Sequence, residues 1–73
     1  MVVRAHWDGE ASVWWAESED VIGLAAEAPS FELLKDHLRE IVPELMRMNS
    51  QPISHTIDVH LIGERVEDIS IAA

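Results

Sequence analysis

The sequence predicts an α+β fold: an antiparallel sheet carrying one helix, in the order β-β-β-α-β, as a single domain over residues 1–73. Three observations lead there. Two runs rich in Val and Trp, residues 2–7 and 12–17, flank an Asp8-Gly9 turn. One apolar stripe of helical period follows, and then a return to period two. Strands grouped before one helix indicate segregated α+β architecture, with the sheet mostly antiparallel.

Asp-Gly between β-forming runs is a strong short-range hairpin signal. The second run closes at the polar turn Glu17-Ser18-Glu19-Asp20. A third strand is expected over Ile22–Glu27, with Gly23 marking its entry or a bulge. Pro29-Ser30 then opens a helix. The Ser30 hydroxyl can accept from an unpaired N–H of the first turn. Glu32 places negative charge where the helix dipole favours it. Phe31, Leu34, Leu38, Ile41, Leu45 and Met48 recur at spacings of three and four and form one apolar stripe. On this reading Met48 packs in the core, while Met46 lies off the centre of the stripe, exposed beside Pro43. Pro43 cannot donate to the Arg39 carbonyl, so a kink is expected there. The stripe continues in phase beyond it, which favours one kinked helix ended by Asn49-Ser50-Gln51-Pro52. Ile57, Val59 and Leu61 then alternate with Asp58 and His60 as a half-buried strand. Gly63-Glu64-Arg65 interrupts it, and Ile69 and Ile71 suggest a short final extended piece, either separate or the same strand continued past a bulge.

A chain of 73 residues can bury only roughly 60% of its unfolded surface. Disulfides, metals or oligomerisation usually reinforce so small a domain. There is no cysteine, so disulfides and thiolate zinc sites are excluded. Oligomerisation remains, and a homo-oligomer, dimer or tetramer, is expected. The lack of cysteine and of a signal-peptide-like start fits a cytoplasmic protein. Fourteen Asp and Glu against five Lys and Arg give a net charge of −9. That charge disfavours direct nucleic-acid binding and an anionic membrane surface, and it favours a basic partner. No apolar run approaches a membrane span.

One helix covers one side of a sheet, so the other side should read polar if it meets water. It does not read cleanly polar. Alternation puts Val13 and Trp15 on one side and Trp14 and Ala16 on the other. In the first strand Val3, Ala5 and Trp7 oppose Val2, Arg4 and His6. An indole on each side implies apolar surface facing away from the helix, which marks an interface. The bland alternative is one ordinary surface Trp and another packed under the Pro52 loop.

Catalytic and metal readings are weak. His6, His37, His55 and His60 do not cluster in sequence. His55 and His60, five apart on a strand, would point to opposite faces, and Asp58 with His60 supplies only two ligands. Ser54, His55 and Asp58 are the residue types of a hydrolytic triad but lie too close in sequence to line up. There is no nucleophile elbow and no phosphate loop. We expect no enzyme activity, no metal and no cofactor. The acidic run Glu17, Glu19 and Asp20 reads first as a solvated turn.

The run from Trp7 through Leu24 resembles the N-terminal hairpin and third strand of HicB-like proteins, in Asp8, Trp14, Ala16, Asp20 and Gly23, with Ser30 opening the helix. Ile41-Val42-Pro43-Glu44-Leu45 and Asp58-Val59-His60-Leu61-Ile62 are similar to a short stand-alone branch of that family, catalogued as a domain of unknown function. The resemblance covers nearly the whole chain. It implies a reduced ribonuclease-H-like unit and an antitoxin that oligomerises and blocks HicA, a small basic toxin that cleaves messenger RNA. Ile22 stands where many members have Pro. The chain leaves no room after Ala73 for the family's C-terminal DNA-binding domain, so operator binding is not expected.

The first expectation is therefore a non-catalytic binding module of a toxin–antitoxin system. Its partner or oligomer interface would use Trp14, Trp15, Glu17, Glu19 and Asp20. The alternative is an orphan structural or oligomerisation domain. A degraded nuclease comes third and would need a divalent-ion site.

Overall fold

The computed structural model describes residues 1–52 and 56–71. Its elements are β1 (Val2–Asp8), β2 (Val13–Glu17), β3 (Ala26–Ala28), α1 (Phe31–Met48) and β4 (His60–Glu64). The β-β-β-α-β order is as the sequence predicts. The strands lie side by side as β3-β2-β1-β4. β1 pairs antiparallel with β2, and β2 with β3, but β4 pairs parallel with β1. The sheet is thus mixed rather than purely antiparallel. The connectivity dictates this. β3 runs the same way as β1, and α1 carries the chain back along the sheet. β4 must then start at the end where β1 starts, as in any strand–helix–strand crossover.

The first turn is longer than its Asp-Gly core. Asp8 pairs with Val13, which leaves residues 9–12 as the loop. The Asp8 carboxylate accepts from the Glu10 and Ala11 amides, and Ser12 takes a left-handed φ of 54°. The third strand begins later than expected. Gly23 adopts φ 78°, and Leu24 N–H donates to the Val21 carbonyl, so residues 21–24 form a turn.

Ser30 caps α1, its hydroxyl accepting from Leu33 N–H at 3.1 Å. The helix runs through Pro43 as one element. Its buried row is Leu34, Leu38, Val42 and Met46. The methionine assignment is therefore reversed: Met46 is 2% exposed and Met48 is 75% exposed. Residues three and four apart share a helix face, so the stripe could continue on either side at its last turn. The chain took the row of fours, with Phe31, Ile41 and Leu45 flanking it half-buried. The helix ends in a Schellman arrangement. Gln51 N–H donates to the Met46 carbonyl at 2.8 Å and Ser50 N–H to the Arg47 carbonyl at 3.1 Å. Ser50 occupies the left-handed position, φ 54°, that glycine usually fills.

The helix packs on one side of the sheet. Register places Val3 beside Leu61, and it aligns Ala5 with Gly63 and Ala16, and Ala16 with Ala26. A row of small residues thus crosses all the strands under α1. Gly63 does not interrupt β4 as the sequence implied. It lies within the strand because the Phe31 ring lies over it, and a Cβ there would fall 2.6 Å from Phe31 Cε2. Ile69 and Ile71 do not extend the sheet, since residues 65–71 form no regular element and stand exposed. The expectations for Ser54 and His55 lie outside the described residues.

Both glycine-like positions make stability predictions. Gly63→Ala forces the Phe31 ring off β4 and costs about 1–3 kcal/mol, and Phe31→Leu in the same chain recovers part of it. Ser50→Gly relieves the left-handed backbone and adds about 0.5–1 kcal/mol. Urea titration of each variant against the parent chain reads both, with Gly9→Ala, whose Cβ meets nothing closer than 3.6 Å, as a neutral control.

Candidate functional site

The side of the sheet away from α1 is where the sequence placed an interface. Strand alternation and register lay its side chains out in rows. Val2 stands beside His60. Arg4 stands between Ile62 and Glu17. His6 stands between Glu64 and Trp15, and Trp15 between His6 and Glu27. Asp8 faces Val13. Trp15 lies near the middle of this face and is 39% exposed. Its ring rests against His6, with centroids 4.5 Å apart. His6 Nε2 lies 3.2 Å from Glu17 Oε1, and the carboxylate accepts. Val2 and Ile62 are exposed on the same face. The result is an indole and scattered aliphatic groups set among Glu17, Glu27, Glu64 and Arg4. It is less apolar than the sequence implied, and predominantly acidic.

Trp14 goes the other way. Its ring meets Phe31 edge-on at 5.3 Å and Trp7 at 5.7 Å, all on the helix side. Arg65 stacks over Trp7 at 4.3 Å from the ring centroid. The adjacent tryptophans are thus divided between the layers, and only Trp15 belongs to the outward surface.

The acidic turn divides as well. Asp20 accepts from Val2 N–H at 2.7 Å, which fixes the start of β1. Ser18 Oγ donates to the Val2 carbonyl and accepts from the Asp20 and Val21 amides. Gln51 donates to the Asp20 carbonyl, which ties the turn to the end of α1. Asp20 therefore holds the fold together at this corner. Glu17 and Glu19 stand exposed, Glu17 on the outward face and Glu19 in the turn. Val2 follows from alternation along β1, whereas Glu27, Glu64 and Ile62 complete the surface and were not singled out from sequence. Their membership depends on the neighbours of β3 and β4, which only pairing reveals. The alternation that divided Trp14 from Trp15 also puts Glu27 outward, once β3 is placed further on.

A second surface feature lies on the helix side. A groove of about 780 Å³ runs between α1 and the approach to β4. Leu38, Val42, Ile57 and Val59 form its floor, and Lys35, Arg39 and Arg47 stand around it. Lys35 Nζ lies 2.6 Å from Glu32 Oε2. The hydrogen bond from Lys35, and then its charge, holds the Glu32 carboxyl below the usual range. Arg39 and Arg47 make no ion pair among the described residues. Also among these residues, no three His, Asp or Glu side chains converge as a metal site requires, and no helix is long and apolar enough to cross a membrane.

Comparison with known proteins places the chain in a family. A hypothetical protein from the extremely thermophilic bacterium Thermus thermophilus has a similar crystal structure. The two are 38% identical, with a TM-score of 0.68, over 97% of this chain and 100% of that one. No curated protein matches the sequence. The family described as "Domain of unknown function (DUF1902)" matches residues 1–73 throughout, and the chain belongs to that family.

Proposed function

We propose that this chain is a non-catalytic binding module of the HicB antitoxin kind, which meets a small basic HicA-like ribonuclease and blocks it. The observation that carries the reading is the outward sheet face: Trp15, accessible and central, surrounded by Glu17, Glu27 and Glu64. Tryptophan is strongly enriched at binding hot spots, because it buries a large area at low conformational cost. Acidic side chains around it suit a cationic partner.

The action follows from charge and shape. A chain of net charge −9 draws a basic protein toward it and speeds encounter. The rim acids orient the approach, and the indole is then desolvated at the centre. A ribonuclease needs its cationic surface to hold the RNA backbone. Occupation of that surface by Glu17, Glu19, Glu27 and Glu64 excludes the substrate, with no bond made or broken. Asp20 plays no part in docking on this reading, since its carboxylate is already committed to Val2.

The test is whether a small basic ribonuclease is encoded beside this gene, and whether the chain binds and inhibits it. The association rate should fall by about tenfold or more between low and physiological salt, as steered encounters do. Trp15→Ser should weaken the complex by about 2 kcal/mol through faster dissociation, while Glu19→Lys and Glu27→Lys slow association. Stopped-flow mixing separates the two effects. A chain that binds no such protein, or has no such neighbour, contradicts the proposal.

A further inference from the structure

Three of the chain's five Lys and Arg residues line one apolar groove, in a molecule of net charge −9. Cations are the scarce resource in this sequence, and Arg39 and Arg47 make no ion pair among the described residues. A groove with a greasy floor and a positive rim suits an extended segment that carries aliphatic and acidic side chains together.

The chain has such a segment. After β4 come Val66, Glu67, Asp68, Ile69, Ser70 and Ile71. Val66, Ile69 and Ile71 are 82%, 83% and 92% exposed, the largest values among the exposed large hydrophobic residues. The arm also stretches the molecule. The radius of gyration is 14.6 Å against about 11 Å for a compact chain of this length, and the longest dimension is 56 Å. Six extended residues span about 20 Å. The groove follows α1 from Phe31 to Arg47, about 24 Å at the helical rise. The lengths agree.

The arm does not point into its own groove. The groove runs backward along the chain from Leu61 to Ile57, whereas the arm runs forward past Arg65, stacked on Trp7. To fold back, the chain would have to reverse within residues 66–71, which contain neither Gly nor Pro. We propose that the arm, residues 66–71, docks in the groove of a second copy, whose own arm returns the contact, giving a twofold exchanged dimer. Ile69 and Ile71, two apart, share one side of an extended segment and reach the floor. Asp68, and Glu67 beside its own chain's Arg65, bring negative charge to the rim formed by Lys35, Arg39 and Arg47. Two chains of −9 repel one another over most of their surface, and this groove is where that repulsion is locally reversed. The contact lies on the helix side of the sheet, so it is independent of the function proposed for the outward face.

Charge reversal tests the proposal in full-length chains by sedimentation velocity. One variant carries Arg39→Glu and Arg47→Glu in the groove. The other carries Glu67→Arg and Asp68→Arg in the arm, where exposure makes the fold tolerant. The parent chain should dimerise below about 100 μM. Each variant alone should dimerise at least about tenfold more weakly. An equimolar mixture of the two should recover dimers, because the parent-like acidic arm of one meets the parent-like basic groove of the other, and the two reversed surfaces meet in the second contact. Ile69→Ser with Ile71→Ser should weaken every combination. A monomeric parent, a dimer that both charge variants leave unchanged, or a mixture no better than its components would overturn the proposal.

Discussion

Phe31 lies over Gly63, at the head of a row of small residues that crosses the whole sheet. The helix itself lies nearest β3 and β2, and the Phe31 ring spans the remaining distance to β4. Ala16 and Ala26 let the helix lie closest to β2 and β3, and Gly63 receives the Phe31 ring, while Val3, Leu61, Trp7 and Trp14 stand in the neighbouring rows. Leu34, Leu38, Val42 and Met46 project onto this surface and close the core. Larger side chains in the row would lift the helix and open the layer between them.

With the helix committed to one side, the other side must be solved differently. The chain covers it with mixed chemistry. Charged residues alternate with Trp15, Val2 and Ile62, so that the face meets water without being uniformly polar. Trp15 is partly sheltered by His6, which in turn meets Glu17. Ordinary solvation of a sheet needs no indole at that position. The acidic groups around it fit a cationic partner, and the basic groove on the opposite layer fits an acidic one. The scarcity of Lys and Arg elsewhere makes the two surfaces electrostatically distinct.

Much of this was legible in residue order. The helix, its Ser30 cap and the first two strands follow from periodicity, and the division of Trp14 from Trp15 follows from alternation alone. Three features did not follow. The parallel sense of β4 follows from the strand order, but its place beside β1 rather than β3 depends on where the helix sets the chain down, which no local pattern records. The choice of Met46 over Met48 was ambiguous, because a helical stripe can lean along rows of three or of four. Gly63 read as a break because glycine weakens a strand. Its actual use, to receive an aromatic ring from the first residue of α1, is a tertiary contact. The same limit hid the candidate surface: Glu27 and Glu64 join Trp15 through strand neighbours, while Asp20, conspicuous in an acidic run, is bound to Val2.

If the sheet face opposite α1 is the meeting surface, Trp15 is its centre and must sense the partner first. Fluorine NMR of the chain labelled with 5-fluorotryptophan gives one signal for each of the three indoles. Titration with a small basic ribonuclease that the chain binds should shift and broaden the Trp15 signal while those of Trp7 and Trp14 hold. A complex that forms with the Trp15 signal unmoved would contradict that assignment.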